Sequence, residues 1–148
     1  MYTISTALDS SLSVFSSILL LDKKDDKSDA FDSAARVRAR LYFDLIEIHN
    51  YPPSRIEFDV MVFNFPSSRV ADVVVYQDSA HNKPFLVAEC REEWMRTEVF
   101  DKVCSKAQEN AKAMNAKYAM CVAGSRVHIF YVADGSSVSN VPEWEGAM

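Results

Sequence analysis

Two valine-rich runs joined by a polar connection constrain the fold of this chain more than any other feature. Val70 to Tyr76 and Phe85 to Cys90 are apolar, and Gln77 to Lys83 between them has the composition of a turn. This pattern predicts a β-hairpin. In such a hairpin, Asp72 near the start of one strand lies beside Glu89 near the end of the next, so two carboxyl groups are expected side by side on otherwise apolar strands.

Neighbouring carboxylates repel each other unless a proton or a cation lies between them. Mg²⁺ suits such a pair because it binds one or two protein carboxylates and keeps other positions for water and phosphate oxygens. The residues alone leave another reading open, in which Asp72 faces solvent and Glu89 pairs with Arg91 on the same face of the strand.

The residues around the two carboxyls follow a recognisable order. Arg69 to Tyr76 reads RVADVVVY, and Lys83 to Arg91 reads KPFLVAECR. This succession resembles the nuclease core of the PD-(D/E)XK superfamily, and more narrowly the N-terminal nuclease domain of type I restriction enzyme R subunits and their small stand-alone relatives. That family shows an Arg-Ala-Asp-aliphatic strand, a loop ending in Lys-Pro and a strand closing in Glu-x-Lys.

The resemblance extends over about residues 34 to 132. The further matching positions, in chain order, are Val37-Arg38, Asn50-Tyr51-Pro52-Pro53, Ile56-Glu57, Gln108 and Gly124. It implies an α/β fold with a restriction endonuclease-like αβββαβ core, in which helices flank a central mixed sheet. It also implies a metal-dependent DNA endonuclease that uses Mg²⁺ or Mn²⁺.

The resemblance implies a role for particular residues. Asp72, Glu89 and the backbone carbonyl of Cys90 would bind the metal, with Glu57 as a further candidate ligand. Arg91 would hold the scissile phosphate, and Gln108 would help to position the substrate.

Arg91 stands where the family has the lysine of Glu-x-Lys. A lysine can deprotonate or orient the attacking water, whereas arginine stays protonated. Lys102 and Lys106 on the following helix are candidates for the missing amine. The same substitution supports an alternative hypothesis, a catalytically inactive nuclease-like domain that binds nucleic acid or a protein. A third hypothesis is an unrelated α/β module with an accidental carboxylate pair.

The formal net charge of −5 argues mildly against tight non-specific DNA binding. The acidic residues concentrate in Asp22 to Asp32 and in the late tail, whereas many basic residues lie within the predicted fold. We therefore expect a basic face on an acidic protein. The residues expected to contact DNA are Arg38, Arg69, Lys102 and Lys106.

The length of 148 residues predicts one domain, with an N-terminal extension (1–30), a nuclease domain (31–132) and a C-terminal tail (133–148) that Trp144 anchors. The predicted helices are Phe31 to Asn50 and Glu93 to Asn115. The other predicted strands are Ile56 to Phe63, Lys117 to Ala123 and Arg126 to Val132.

Three cysteines without a CxxC pair imply neither a disulfide framework nor a zinc site, and they favour a reducing cytoplasm. The apolar segment from Val14 to Leu21 is too short for a membrane span, so no membrane association is expected. The expected partners are DNA and, by resemblance, other subunits of a restriction system. Self-association into a homo-oligomer is left open.

Overall fold

A computed structural model of the chain describes residues 29–63 and 69–146. Helix α1 covers Asp29–Glu47, and a 3₁₀ turn, Pro53–Arg55, leads into the sheet. The sequence predicts that the first helix ends at Asn50, but it ends three residues earlier, at Glu47. Asn50 adopts a left-handed φ of 58°, and the Tyr51 N–H donates back to the Leu45 carbonyl at 2.8 Å, which closes the helix.

The remaining elements of the described residues are six strands and one more helix. The helix and the first five strands follow the predicted order, whereas the sixth strand lies in the segment predicted as a C-terminal tail. The strands are β1 (Ile56–Val62), β2 (Arg69–Tyr76), β3 (Pro84–Arg91), β4 (Tyr118–Ala123), β5 (Arg126–Tyr131) and β6 (Ser137–Val138), and helix α2 covers Thr97–Ala113 between β3 and β4. The prediction that α2 begins at Glu93 is wrong, because a loop from residue 92 to residue 96 separates it from β3.

The strands form one sheet in sequential order, β1-β2-β3-β4-β5-β6. Strands β3 and β4 are parallel and the other neighbours are antiparallel. Helix α2 makes the crossover that a parallel pair requires. The predicted fold class, a mixed sheet flanked by helices with an αβββαβ core, is therefore confirmed.

Each helix covers one face of the sheet. On the α1 face, Leu41 and Leu45 pack with strand residues such as Val73 and Leu86. On the α2 face, Ala107 and Ala111 pack with alternating strand residues that include Val74, Val87 and Ala119. The central strands are consequently buried on both sides, which explains why β2 and β3 are almost continuously apolar in sequence.

The alternation of side chains changes at one position of the β1-β2 pair. Phe58 packs on the α1 face, whereas Val60, two residues later, packs on the α2 face. Asp59 between them has a left-handed φ of 54°, and the register places it opposite Asp72. The pairing of β2 with β3 also reaches only as far as Val73. Asp72 therefore lies where the regular pairing of β2 with both neighbouring strands is interrupted.

The C-terminal segment packs on the sheet. Strand β6 pairs with β5, and the Trp144 indole Nε1 donates to the Tyr76 carbonyl at 3.0 Å, which confirms that Trp144 anchors the tail. The Tyr51 hydroxyl donates to the Pro142 carbonyl at 2.6 Å. The predicted N-terminal extension lies almost wholly outside the described residues. No helix within the described ranges is long and apolar enough to span a membrane.

Candidate active site

Asp72 and Glu89 are neighbours across the β2-β3 hairpin. In the register of the two strands, Val74 pairs with Val87 and Val73 pairs with Ala88. The next pair in this register is Asp72 and Glu89. The Glu89 side chain is completely buried, whereas that of Asp72 is 25% exposed. Asp72 Oδ2 accepts a hydrogen bond from the Cys90 backbone N–H at 2.8 Å, so the carboxylate replaces a strand-to-strand contact where β2 and β3 separate.

One nitrogen of Arg91 joins the oxygen atoms of this site. Nη1 donates to Asp72 Oδ2 at 2.9 Å and to the Cys90 carbonyl at 2.8 Å, and it lies 3.5 Å from Glu89 Oε2. These are three of the four groups that the family resemblance implied as metal ligands, and Glu57 is the fourth. A protein cation therefore lies at the position where the oxygen atoms of these three groups converge.

Asn110 of α2 contacts Glu89 from the other side. Its side-chain Nδ2 donates to Glu89 Oε1 at 2.8 Å, and both side chains are completely buried. The Asn110 Oδ1 atom is buried without a hydrogen-bond partner. An unsatisfied buried polar atom is costly, so its position beside a buried carboxyl makes Asn110 a candidate functional residue.

Burial, more than any charge, raises the pKa of Glu89 to about 8. The charge of Asp72 and its hydrogen-bonding contact with Glu89 raise the pKa further, while Lys106 and Arg91 act in the opposite direction. Without a stronger cation, Glu89 therefore keeps a proton near neutral pH. Burial also raises the pKa of the Cys90 thiol, which makes that side chain a neutral core group beside the carbonyl that faces the site.

Gln108, predicted to assist the substrate, is not brought to this site. It lines a separate pocket with Ser105 and Tyr131. Asn110 follows Gln108 by two residues, and each residue of an α-helix turns by about 100°, so the two side chains point to nearly opposite sides of α2. Lys106 lies one turn before Asn110, on the side of α2 that faces Glu89.

The other predicted site residues lie around the pair rather than in it. Glu57 accepts a hydrogen bond from His81 at 3.0 Å, beside the closed end of the hairpin, away from Asp72. Arg38 forms an ion pair with Asp59 at 2.8 Å, and Arg69 forms one with Glu109 at 2.8 Å.

Lys102 is exposed on α2, one turn before Lys106. Within residues 29–63 and 69–146, no three His, Cys, Asp or Glu side chains cluster to hold a metal ion. The donor set at the hairpin is therefore two carboxylates and one backbone carbonyl.

Sequence reasoning missed Asn110. It lies on the apolar stripe of α2 between Ala107 and Ala111, all three completely buried. A polar residue within such a stripe is the signal that could have identified it, because a buried amide needs a buried partner.

Comparisons with known proteins agree with this architecture. Residues 34–143 match the family model described as the type I restriction enzyme R protein N terminus. A solved structure described as a fragment of an HsdR subunit of a type I restriction enzyme from Vibrio vulnificus YJ016 shares the fold, with a TM-score of 0.57 and 17% sequence identity.

That match covers 79% of this chain but only 25% of the Vibrio chain, so this chain spans about a quarter of that relative. No curated protein matches the chain significantly. Because the family model covers most of the sequence, the chain belongs to the family of type I restriction enzyme R protein N-terminal domains.

Proposed function

We propose that this restriction-enzyme nuclease-like domain is a metal-dependent DNA endonuclease whose active site is formed by Asp72, Glu89 and the Cys90 carbonyl. The single observation that carries the proposal is the convergence of these three groups on one point, at which the Arg91 Nη1 atom lies within 3.5 Å of each. An apolar sheet has no structural need for two adjacent carboxyls, one of them completely buried.

The donor set fits Mg²⁺ or Mn²⁺. All three groups present oxygen atoms, the type of ligand that these ions prefer, and the buried Glu89 carboxylate needs a neutralising cation. A divalent ion bound there would lower the pKa of a bound water and offset charge on the phosphate.

The chain's own residues have separate tasks in this proposal. Asp72 and Glu89 bind the ion, and Asn110 orients Glu89 through the bond at 2.8 Å. With an ion held by the carboxylates, the Arg91 guanidinium would be free to pair with a phosphate oxygen. Lys106, the lysine whose charge acts on Glu89, contacts the phosphate from α2.

DNA is the proposed substrate, and other subunits of a type I restriction system are the proposed partners. The phosphate backbone would follow the basic residues that border the site, Arg38, Arg69, Lys102 and Lys106. Three free, buried cysteines are consistent with a cytoplasmic location, which we also propose.

The second candidate function is a catalytically inactive nuclease-like domain. The position of Arg91 favours it specifically, because the Arg91 cation already pairs with Asp72 beside a protonated Glu89 and satisfies the Cys90 carbonyl. In that case Arg91 replaces the metal permanently, and the domain contributes binding to DNA or to a partner subunit.

Plasmid cleavage with Mg²⁺, Mn²⁺ or EDTA tests the two candidates. Wild type is compared with Asp72→Ala and with Asp101→Asn, a matched change at an exposed carboxylate of α2. The nuclease proposal predicts cleavage by wild type and Asp101→Asn with metal only, and none by Asp72→Ala. If wild type, Asp72→Ala and Arg91→Lys all fail to cut, the inactive domain is the better account.

A further inference from the structure

Asp59 has a backbone conformation that is unusual for its place in the chain. Its φ of 54° is left-handed, although the residue lies in the middle of strand β1. In the described parts of the chain, the other non-glycine residues with a left-handed φ, Asn50, His81 and Asn115, lie in turns or loops. Such a conformation is unfavourable for a non-glycine residue and persists only where the surrounding structure imposes it, commonly at a functional site.

The left-handed residue marks the point at which β1 exchanges the two faces of the sheet. Side chains two residues apart in a regular strand point to the same face. Phe58 nevertheless packs with the cluster on the α1 face, whereas Val60 packs with the cluster on the α2 face. Asp59 is the residue between them, so the exchange occurs at its backbone.

Strand β2 exchanges faces at the same level. Before the change, Phe58 pairs with Val73, and both pack on the α1 face. After it, Val60 pairs with Ala71 in the same register, and both pack on the α2 face. Counting from Val73 places Asp72 on the α2 face, and counting from Ala71 places it on the α1 face. The Asp72 side chain is therefore turned between the two faces.

The hydrogen bonds of Asp72 show where its side chain goes. Backbone N–H groups of a strand lie in the plane of the sheet and point to the neighbouring strands. Asp72 Oδ2 accepts the Cys90 N–H at 2.8 Å and also contacts Arg91 Nη1 at 2.9 Å, so the carboxylate lies between β2 and β3. In a regular strand the Asp72 side chain would stand perpendicular to the sheet, away from the Cys90 N–H.

The Asp59 side chain contributes less to this arrangement than its backbone does. Its carboxylate forms an ion pair with Arg38 of α1 at 2.8 Å, and the Asp59 side chain is 62% exposed. An ion pair that is exposed to this extent adds little to stability. This leaves the left-handed backbone as the feature of Asp59 that sets the neighbouring strand.

We infer that Asp59 is a positioning residue for Asp72: its left-handed backbone exchanges the faces of β1 and β2, which turns the Asp72 carboxylate into the plane of the sheet, toward the Cys90 N–H and Arg91. The inference rests on the proposed function in taking Asp72 as a metal ligand. It adds to the site a residue that acts without binding the ion.

Substitutions of Asp59 separate its backbone conformation from its charge. Glycine adopts a left-handed φ freely and asparagine does so more readily than most residues, so Asp59→Gly and Asp59→Asn keep the conformation without the carboxylate. Asp59→Val also removes the carboxylate, but a β-branched residue is an outlier at this φ. Asp59→Ala is a milder change in the same direction and serves if the valine variant does not fold. Met61→Val, at an exposed residue of the same strand, is the matched control.

The first measurement needs neither metal nor DNA. Amide hydrogen exchange of Cys90, followed by NMR in the metal-free protein, reports the hydrogen bond to Asp72. The Met120 amide, in the buried strand β4, is the internal reference for global unfolding. We expect the ratio of Cys90 to Met120 exchange to rise about 5- to 30-fold in Asp59→Val and by a smaller factor in Asp59→Ala. Asp59→Gly, Asp59→Asn and Met61→Val should keep the wild-type ratio.

The second measurement is the affinity for Mn²⁺, by calorimetric titration at pH 8. Asp59→Val should bind the ion about 5- to 30-fold more weakly than wild type, because its Asp72 carboxylate is misplaced. Asp59→Gly should bind as wild type does. Retained affinity in a variant with no side chain at this position is a result that a ligand role for the Asp59 carboxylate would not produce.

The outcomes that overturn the inference differ from those that overturn the proposed function. Equal Cys90 exchange in Asp59→Gly and Asp59→Val would contradict the inference, because these variants differ in their φ preference and not in charge. If Asp59→Gly loses as much Mn²⁺ affinity as Asp59→Val, Asp59 acts through its carboxylate, and the inference is wrong while the metal site stands. If exchange follows the prediction but wild type binds no Mn²⁺, the proposed function fails and the positioning of Asp72 stands.

Discussion

Arg91 and Asp72 form an ion pair at 2.9 Å at the point where strands β2 and β3 separate. The same Arg91 nitrogen contacts the Cys90 carbonyl and approaches Glu89, so it makes the contacts that a divalent ion would make. In the proposed function, Arg91 and a divalent ion would therefore compete for one position, and that competition would govern stability, pH dependence and activity.

Removing the arginine should make the protein depend on metal. Arg91→Ala leaves two adjacent carboxyls without their cation, and we expect it to destabilise the metal-free protein by about 1 to 2 kcal/mol, since both side chains of the ion pair are only partly buried. Mg²⁺ should then raise the melting temperature of Arg91→Ala more than that of wild type. Thermal melts with and without Mg²⁺ measure both effects, and equal responses would refute the competition.

The pKa of Glu89 predicts how stability varies with pH. The folded-state pKa of about 8 lies above the ordinary pKa of 4.5, so the proton on Glu89 stabilises the folded state fully below pH 4.5, and this contribution is lost as pH rises through about 8. Glu89→Gln should lose less stability than wild type between pH 5 and 8. Urea unfolding without divalent ions across that range measures the difference.

The same titration of Glu89 should affect the proposed metal binding in the opposite direction, because affinity should increase as the proton is lost. The ion requires the carboxylate form of Glu89, so the affinity for Mg²⁺ should increase as pH rises toward about 8. Calorimetric titration at pH 6 and pH 8 tests this expectation, and a higher affinity at pH 6 would contradict it.

Asn110 should matter to both stability and metal affinity. Asn110→Ala removes the bond at 2.8 Å to a completely buried carboxyl, and we expect it to cost about 1 to 2 kcal/mol. Because the Glu89 orientation is then lost, Mg²⁺ affinity should also fall. Gln108→Ala is the matched control on the other side of α2, and it should change neither property. If Asn110→Ala binds Mg²⁺ as tightly as wild type, Asn110 contributes only to packing.

The anchor of the C-terminal segment should tolerate a conservative change. Trp144→Phe keeps a large aromatic group in the core but removes the indole donor to the Tyr76 carbonyl. We expect a loss of about 1 kcal/mol and an unchanged fold. Circular dichroism and urea unfolding provide the measurement, and loss of the native spectrum would show that the contact is essential.

The sequence predicted the β2-β3 hairpin and the Asp72-Glu89 pair because both depend on local patterns, namely strand composition and turn length. It did not identify Asn110, the α2 residue that contacts Glu89, for a geometric reason. A motif match assigned Gln108, but a shift of two residues on a helix moves a side chain by about 200°, and only the packing of α2 on the sheet shows that Asn110 faces Glu89.

The left-handed conformation of Asp59 carried no sequence signal. Aspartate adopts it more readily than most residues do, yet nothing in a β-strand pattern marks which aspartate will do so. The shift of side chains from one face of the sheet to the other at Asp59 and Asp72 therefore became visible only in the structure.

The most direct test of this account is calorimetric titration of Mn²⁺ into the metal-free protein at pH 8, comparing wild type, Asp72→Ala and Asp101→Asn. The account predicts one specific site in wild type and Asp101→Asn, and no such site in Asp72→Ala. If Asp72→Ala binds Mn²⁺ as wild type does, or if wild type and Arg91→Ala both fail to bind it, the carboxylate pair is not a metal site.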